Sequence, residues 1–323
     1  MPSAPSIRVY ATRRFTQAVE QAMQARYAVT RNDADGVMEP EALARAAQGC
    51  EYLFVSVNQP VAAATIAALA PTLKVICTLS VGTDHVDLEA ARRAGIKVLY
   101  TPDVLSEATA EIAMLLMLGV ARRASEGDRM VRADVWPGWA PTQMLGQQLT
   151  GRRLGILGLG RIGKQVAQRA APFGLQVHYH NRRPLPADEA MGAVYHATSD
   201  ALLAHSDIFC ITAPSAPELK SFLDARRIAL LPRDAIVINV ARGDMVDDDA
   251  LIEALASRRL FGAGLDVYRG EPAMDPRYRT LDNVFLLPHL GSATVETRDA
   301  MGFLLLDGLK AIEEGRRPAN QLV

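Results

Sequence analysis

The sequence has few cysteines, almost no net charge and no export signal. Its three cysteines, Cys50, Cys77 and Cys210, are widely spaced and form no C-x-x-C pair. This spacing argues against a disulfide framework or a metal site and favours buried thiols in a reducing compartment. The formal net charge is −1, so no basic surplus points to nucleic acid or anionic lipid. Residues 1–14 contain no apolar h-region, which predicts that the protein is not exported.

Long apolar segments are also missing. The longest run, residues 112–120, is far shorter than the roughly 20 residues that a bilayer span requires. Hydrophobic residues make up 49% and charged residues 22% of the 323-residue chain, which suits a globular protein, and the length favours two domains. The sequence therefore predicts a cytoplasmic protein that binds neither a membrane nor nucleic acid.

Short apolar strands alternate regularly with helical patterns. Strands are predicted in the first hundred residues at 7–10, 53–57, 75–79 and 98–100, with helices at 15–26, 39–48, 61–69 and 88–94. A second series of strands is predicted at 154–157, 176–179, 208–212, 235–240, 264–267 and 284–287, and a last helix at 292–314. This alternation indicates an α/β fold with parallel, doubly wound sheets. A long helix at 108–123 suits either the core or a partner subunit.

A glycine-rich turn lies between a predicted strand and a predicted helix. The strand 154–157 leads into Gly158, Gly160 and Gly163, and the helical spacing after them ends at Pro172 and Gly174. In this arrangement the first glycine permits a tight turn, the second lets a pyrophosphate approach the backbone, and the third lets helix and strand pack closely. Glycines alone would also fit an ordinary loop, but this context favours a dinucleotide site at the helix N-terminus.

The end of the next strand predicts which dinucleotide binds. An acidic residue about 20 residues past the glycines normally binds the ribose 2′-OH of NAD. Here the strand leads into His180, Asn181, Arg182 and Arg183. Two guanidinium groups can bind a 2′-phosphate, so the sequence predicts NADP(H) in preference to NAD(H). The alternative is a solvated basic turn before Pro184.

Three polar residues follow the later strands, at the edge where open α/β sheets bind ligands. Arg242 follows strand 235–240, Glu271 follows the strand that carries Asp266, and His289 follows strand 284–287. An arginine can hold a carboxylate and polarise a ketone, a histidine can deliver a proton, and a carboxylate can orient the ring. Singly they read as a surface charge, a loop acid and a turn-capping histidine; together they suit reduction of a 2-oxo acid. The other histidines, expected to be structural, are His85, His178, His180, His196 and His205.

Residues 123–148 lose their periodicity and are predicted to form an irregular loop. Both tryptophans of the chain, Trp136 and Trp139, lie in it. Because an exposed loop seldom carries two tryptophans, we expect them to pack either within the subunit or across a subunit interface.

The combined segments resemble the D-2-hydroxyacid dehydrogenase family over nearly the whole chain. The matching segments are 80–85 (SVGTDH), 109–111 (TAE), 158–163 (GLGRIG), 239–243 (NVARG), 264–272 (GLDVYRGEP) and 287–292 (LPHLGS). The resemblance implies Arg242, Glu271 and His289 as the catalytic residues, with hydride transfer between nicotinamide C4 and substrate C2. Glu271 matches the keto-acid reducers, whereas the formate-oxidising branch carries glutamine there.

Within the family, residues 289–294, the tryptophan loop and the arginine pair most resemble the NADPH-dependent glyoxylate/hydroxypyruvate reductases. The resemblance implies a homodimer in which Trp139 reaches the neighbouring active site. It also implies that Ser80, Val81 and Gly82 bind the substrate together with Arg242 and His289. Besides the glycines and Asn181, Arg182 and Arg183, the implied cofactor contacts are Thr109, Arg161, Ile162, Thr212, Pro214, Ser215, Val240, Ala241, Asp266, Gly291 and Ser292. Residues 212–218 (TAPSAPE) differ from the usual Cys-Pro-Leu-Thr-Pro form.

The resemblance also implies the domain organisation. A flavodoxin-like substrate domain would comprise residues 1–101 and 291–323, a Rossmann cofactor domain would comprise 102–290, and the active site would lie in the cleft. The predicted activity is reduction of small 2-oxo acids, such as glyoxylate and hydroxypyruvate, to D-2-hydroxy acids, without a metal ion. One alternative is an NAD-dependent phosphoglycerate-type dehydrogenase, disfavoured by the arginine pair and the lack of a regulatory domain after Val323. The other is a nucleotide-sensing, corepressor-like scaffold, for which no peptide groove or disordered extension is evident.

Overall fold

The computed structural model describes residues 7–323. The start of the segment 1–14, used above for the export prediction, and of the predicted domain 1–101 lies outside the described residues. The described chain forms two compact units. One comprises the described residues up to Leu105 together with Ala293–Val323, and the other comprises Ser106–Ser292. The described residues include no helix with both the length and the apolarity needed to cross a bilayer.

The first unit begins with alternating strands and helices. They are β1 (Arg8–Ala11), α1 (Gln17–Arg26), β2 (Ala28–Arg31), α2 (Pro40–Ala46), β3 (Tyr52–Ser56), α3 (Ala63–Leu69), β4 (Val75–Leu79), α4 (Leu88–Arg93) and β5 (Lys97–Leu99). Within the described residues these strands form a five-stranded parallel sheet in the order β2-β1-β3-β4-β5. This is the strand order of flavodoxin-like folds.

The second unit continues the alternation, and a final helix returns the chain to the first unit. The elements are α5 (Ser106–Ala121), α6 (Ala124–Arg132), β6 (Arg153–Leu157), α7 (Arg161–Ala170), β7 (Gln176–His180), α8 (Ala187–Ala190), β8 (Val194–Tyr195), α9 (Ser199–Ala204), β9 (Ile208–Ile211), α10 (Ala225–Leu230), β10 (Ile236–Asn239), α11 (Asp248–Ala256), β11 (Gly262–Leu265), β12 (Val284–Leu286) and α12 (Val295–Glu313). Short 3-10 turns occur at Ala171–Phe173, Pro217–Leu219, Gly243–Met245 and Pro276–Thr280.

The sheet of the second unit has the topology of a dinucleotide-binding fold. Within the described residues it has seven parallel strands in the order β12-β11-β10-β9-β6-β7-β8. The strand order reverses between β6 and β9, so the glycine turn that follows β6 lies at the topological switch point. The predicted fold class, with two doubly wound parallel sheets of flavodoxin and Rossmann type, is confirmed.

The core of the second unit lies on both faces of its sheet. The central strands β9 and β10 are buried along their whole length, as expected for parallel strands that helices cover on both sides. Phe209 and Val237 pack into one apolar cluster, whereas Cys210 and Ile238 pack into the other. Full burial of such a side chain contributes about 1.5–3 kcal/mol. All three cysteines are buried and free, which confirms their expected place in the core.

The loop predicted at 123–148 is partly wrong, because residues Ala124–Arg132 form helix α6. None of its residues is buried, and only Ala124, Met130 and Val131 among its nine residues are apolar, so no repeated apolar spacing indicates a helix. Ion pairs at helical spacing, Arg123 with Glu126 and Arg132 with Asp128, support the helix instead.

Packing of the two tryptophans within the subunit is also wrong. Trp136 is 55% and Trp139 81% exposed, which leaves the subunit interface as the remaining expectation. We call the exposed apolar residues of this region the apolar arm; they are Val131, Val135, Trp136, Trp139 and Leu145. A smaller difference concerns β11, which ends at Leu265, so Asp266 follows the strand that was predicted to contain it.

Candidate active site

The ends of β11 and β12 bring a histidine and a carboxylate into direct contact. Nδ1 of His289 lies 2.8 Å from Oε2 of Glu271, so the predicted contact between these residues is present. The other carboxylate oxygen, Oε1, accepts the backbone N–H of Tyr268 at 2.8 Å. Because both oxygens have partners, the carboxylate is fixed in orientation. The contact uses one ring nitrogen of His289 and leaves Nε2 outside it.

The backbone that carries His289 has an unusual conformation, with a φ of 57°. Left-handed backbone is uncommon for residues other than glycine. The next two N–H groups, of Leu290 and Gly291, donate to Oδ1 and Oδ2 of Asp266 at 2.6 and 2.8 Å. Thr109 donates its hydroxyl to the carbonyl oxygen of Gly291 at 2.9 Å. Asp266 and Thr109, both predicted as cofactor contacts, thus hold the turn that presents His289.

Charge and burial affect the two carboxylates of this region differently. Burial opposes ionisation of Glu271, but the hydrogen bond and charge of His289, the N–H of Tyr268 and the charge of Arg242 outweigh it, and its pKa lies below the ordinary value. Burial raises the pKa of Asp266, although the two backbone N–H groups and the charge of His289 oppose the rise. Glu271 is therefore an anion at neutral pH that accepts a hydrogen bond from the ring of His289.

Arg242 lies in a tight turn after β10. Asn239 Nδ2 donates to the carbonyl oxygen of Arg242 at 2.8 Å, and Asn239 Oδ1 accepts the N–H of Ala241 at 3.0 Å. The following residue, Gly243, approaches the backbone of Tyr268 so closely that a Cβ would fall 1.9 Å from its carbonyl carbon. Only glycine allows this approach. It brings the turn that carries Arg242 against the segment that carries Glu271.

The glycine turn after β6 has the geometry that a pyrophosphate site requires. Gly158 has a φ of 95°, and a Cβ on Gly163 would fall 2.5 Å from the carbonyl oxygen of Gly158, whereas a Cβ on Gly160 would have no neighbour within 4 Å. Helix α7 starts directly after this open position, at Arg161. The first N–H groups of a helix lack intrahelical acceptors and suit a phosphate. The donors and the open space therefore fit a dinucleotide.

Dinucleotide-binding folds usually have an Asp or Glu that binds the ribose about 20 residues after the glycines. Here Asn181 lies in that region and holds the glycine turn. Asn181 accepts the N–H of Leu159 at 2.7 Å through Oδ1 and donates to its carbonyl oxygen at 3.4 Å through Nδ2. Arg182 and Arg183 are exposed, and within residues 7–323 neither guanidinium has an ion-pair or hydrogen-bond partner. The segment thus presents two available positive charges to solvent.

The remaining residues with a predicted cofactor role follow strand ends of the same sheet. Thr212, after β9, donates its hydroxyl to the carbonyl oxygen of Gly158 at 2.8 Å, so it also holds the glycine turn. The others are Arg161 and Ile162 at the start of α7, Pro214 and Ser215 after β9, Val240 and Ala241 after β10, and Gly291 and Ser292 after β12. These residues therefore lie at one edge of the sheet of the second unit.

The residues predicted to bind substrate are distributed over both units. Ser80, Val81 and Gly82 form a turn after β4 in the first unit, where the Ser80 hydroxyl donates to the carbonyl oxygen of Gly82. The carbonyl oxygen of Ser80 also accepts the N–H of Thr101 at 2.9 Å. Trp139 belongs to the apolar arm of the second unit. Among the described residues, no group of three or more histidine, cysteine or carboxylate side chains is arranged to hold a metal ion.

Sequence reasoning missed Tyr268. Its hydroxyl lies 3.0 Å from the carbonyl oxygen of Leu265 and 2.9 Å from that of Leu287, so it connects the ends of β11 and β12 while its N–H holds Glu271. Its position between Asp266 and Glu271 in the sequence is the one signal that could have indicated it.

Comparison with known proteins identifies close relatives. The sequence profile described as "D-isomer specific 2-hydroxyacid dehydrogenase, NAD binding domain" matches residues 114–291. Glycerate dehydrogenase of Hyphomicrobium methylovorum is 42% identical over 83% of this chain and 84% of its own length. Glyoxylate reductase of Thermococcus litoralis is 42% identical over 78% and 77%. The NADPH-dependent glyoxylate/hydroxypyruvate reductase of Sinorhizobium meliloti, solved with NADP and malonate, superimposes with a TM-score of 0.85 at 31% identity, covering 98% of this chain and 97% of its own.

Proposed function

Since the chain belongs to the D-isomer specific 2-hydroxyacid dehydrogenase family, we propose that it reduces small 2-oxo acids, glyoxylate and hydroxypyruvate among them, to D-2-hydroxy acids with NADPH. The observation that carries this proposal is the 2.8 Å contact between His289 and Glu271, at the same sheet edge as Arg242 and the glycine turn. Relatives are named for glyoxylate and for glycerate. Glycerate is the 2-hydroxy acid that reduction of hydroxypyruvate yields, so both names fit one small substrate class.

In the proposed mechanism, Arg242 binds the substrate carboxylate and polarises the 2-oxo group. The reduced nicotinamide, when bound, supplies a hydride to the carbonyl carbon. His289 donates a proton from Nε2 to the carbonyl oxygen, so that C=O becomes CH–OH and the ring becomes neutral. Glu271 accepts the other ring N–H and stabilises the protonated ring before the transfer. The turn of Ser80, Val81 and Gly82 supplies backbone N–H groups to the carboxylate.

The preference for NADPH rests on the segment after β7. A carboxylate that accepts a hydrogen bond from the ribose 2′-OH is missing from residues 180–183, and the amide of Asn181 is occupied by Leu159. Arg182 and Arg183 offer two unpaired guanidinium groups, which suit a doubly charged 2′-phosphate. The second unit as a whole matches the family's NAD-binding domain, so NADH is expected to bind more weakly at the same place.

The decisive experiment follows the oxidation of NADPH and of NADH with a panel of 2-oxo acids from glyoxylate to larger sugar acids. We expect turnover with glyoxylate and hydroxypyruvate and a preference for NADPH. The double variant Arg182→Ala/Arg183→Ala should raise the KM for NADPH about 10- to 100-fold, because it loses one or two charged hydrogen bonds to the 2′-phosphate. The KM for NADH should change little. The matched control is Arg316→Ala/Arg317→Ala, an exposed arginine pair in the first unit.

Other outcomes would contradict parts of this proposal. An unchanged KM for NADPH in the Arg182/Arg183 variant would exclude the 2′-phosphate contact. Turnover of phosphoglycerate-type substrates with NADH would favour the phosphoglycerate alternative. Cofactor binding without turnover of any 2-oxo acid would favour a nucleotide sensor. In the variant His289→Asn, NADPH should still bind while turnover is lost, and retained turnover would exclude His289 as the proton donor.

The subunit arrangement that we propose is a homodimer in which the apolar arm packs against a second copy of the chain. The arm exposes two tryptophans and three aliphatic side chains, a composition enriched at the centre of protein interfaces. In this arrangement Trp139 contributes to substrate binding in the neighbouring subunit.

A further inference from the structure

Four of the six histidines of the chain lie together beside the segment proposed to select the cofactor. His178 is on β7, His180 ends that strand, His196 follows β8 and His205 follows α9. The ring centroids of His178 and His196 are 5.2 Å apart, and that of His205 lies 4.9 Å from His196 and 6.3 Å from His178. Nδ1 of His178 lies 2.9 Å from Nε2 of His196. We call these four residues the histidine cluster.

The histidine cluster and Tyr195, its neighbour on β8, connect β8 to the backbone that leads into the cofactor segment. Nδ1 of His180 lies 2.8 Å from the carbonyl oxygen of His196. The hydroxyl of Tyr195 donates to the carbonyl oxygen of Asn181 at 3.4 Å, and the carbonyl oxygen of His180 accepts the N–H of Gly158 at 3.0 Å. A change in the spacing between β7 and β8 would therefore move both residues 181–183 and the glycine turn.

The contact at the centre of the cluster depends on protonation. A hydrogen bond between two imidazole rings needs one N–H and one lone pair, so at least one of His178 and His196 must be neutral. Burial lowers the pKa of both, and the neighbouring rings of the cluster lower both further. Arg153 adds positive charge beside His178, and the opposing carboxylate of Asp207 is already paired with Arg153 at 2.7 Å. The surroundings thus favour the neutral forms of His178 and His196.

We propose that His178 and His196 are positioning residues for the cofactor segment 181–183, and that protonation of both of these rings displaces this segment and weakens cofactor binding. The inference rests on the proposed function, in which Arg182 and Arg183 bind the 2′-phosphate. When both rings are charged, their contact breaks and repulsion separates the ends of β7 and β8. Because the pKa of each ring is lowered, cofactor affinity should not change above the ordinary histidine pKa of about 6.5. It should fall as the pH drops through the lowered pKa values of the two rings.

The test compares the wild-type chain with the double variant His178→Asn/His196→Gln. The two amide groups can keep a hydrogen bond between these positions but cannot be protonated near neutral pH. The dissociation constant of NADPH is measured by nicotinamide fluorescence between about pH 5.5 and 8, with a chelator in the buffer. On acidification we expect the wild-type dissociation constant to rise about three- to ten-fold more than that of the variant. The upper value corresponds to a difference of about one pKa unit between the free and the cofactor-bound protein.

Two controls make this comparison specific. The 2′-phosphate of NADPH titrates near pH 6, but it does so with both proteins and cancels in their ratio. His85→Gln changes a histidine of the first unit outside the cluster and should follow the wild-type pH dependence. If thermal unfolding at neutral pH shows that the double variant is unstable, His196→Gln alone replaces it.

The outcomes separate this inference from the cofactor preference. Parallel pH dependence in the wild type and the variant would overturn the positioning role, even if NADPH binds tightly. The same measurements with NADH address the case in which the NADPH preference is wrong but the positioning role holds. If NADH binds more tightly than NADPH, but with the same difference between wild type and variant, the cofactor preference fails while the positioning role holds.

Discussion

His289 has two restraints, one on its ring and one on its backbone. A left-handed backbone costs a residue other than glycine about 1–2 kcal/mol, and the two N–H groups donated to Asp266 offset that cost locally. Glu271 fixes the ring through Nδ1. Asparagine tolerates the left-handed region better than alanine, so His289→Asn removes the ring with less backbone strain.

The pH dependence of the reaction should depend on Glu271. Glu271→Gln replaces the anion beside the ring with a neutral amide, which no longer stabilises the protonated ring. Because the pKa of Glu271 lies below its ordinary value, kcat/KM of the wild type should lose this contribution as the pH falls through that lowered pKa. The variant should lack this acid-side change, and its kcat/KM should be about tenfold or more lower at neutral pH. The measurement is a pH profile of kcat/KM with glyoxylate and NADPH. A variant that keeps the wild-type kcat/KM at neutral pH, or that keeps the same acid-side decline, would contradict this role.

The individual site residues differ in how far the sequence reveals them. Arg242, Glu271 and His289 could be predicted because each follows a strand, and parallel strand ends meet at one edge of a sheet. The side-chain contacts of Asn181, Asp266 and Tyr268 could not be predicted, because each of these residues contacts a residue that is about 20 positions away in the sequence. The polar type of these residues fitted a ligand contact equally well. The four clustered histidines were missed for the same reason, since β8 and α9 bring His196 and His205 to His178.

At the level of elements, burial decides what the sequence reveals. The central strands are continuous apolar runs and were predicted within a few residues. The edge strand β2 was missed because its residues are only partly covered, and β8 was missed because it has two residues. Helix α6 was missed because it has few apolar residues, and none of its residues is buried.

The glycine turn gives a paired prediction at this level. Gly163→Ala places a methyl group 2.5 Å from the carbonyl oxygen of Gly158, which forces α7 away from β6, so both stability and NADPH affinity should fall. Gly160→Ala meets no protein atom within 4 Å and should leave the thermal midpoint nearly unchanged. It should nevertheless weaken NADPH binding about tenfold or more, because the methyl group occupies the space proposed for the pyrophosphate. Unchanged binding in Gly160→Ala would place the phosphates elsewhere.

For the whole molecule, the repeated alternation of strand and helix was sufficient to predict two doubly wound sheets. The sequence could not show whether the apolar arm is exposed or covered by a partner, because the same apolar side chains are compatible with both. Helix α6 has no buried residue, and the apolar side chains of the arm are not covered within their own subunit. A partner that covers the arm would supply the missing burial.

We expect the wild-type chain to sediment as a dimer and the variant Trp136→Ala/Trp139→Ala to shift towards a monomer. A tryptophan at an interface hot spot contributes about 2 kcal/mol or more, so removal of both should raise the dimer dissociation constant by roughly a thousandfold. Analytical ultracentrifugation over a concentration series measures this shift. Val37→Ser, at an exposed apolar residue of the first unit, is the matched control and should leave the dimer intact.

If Trp139 also contributes to the neighbouring site, the single variant Trp139→Ala should raise the KM for the 2-oxo acid even at concentrations where it remains dimeric. A wild-type monomer, or a dimer unaffected by the double variant, would show that the arm has another role.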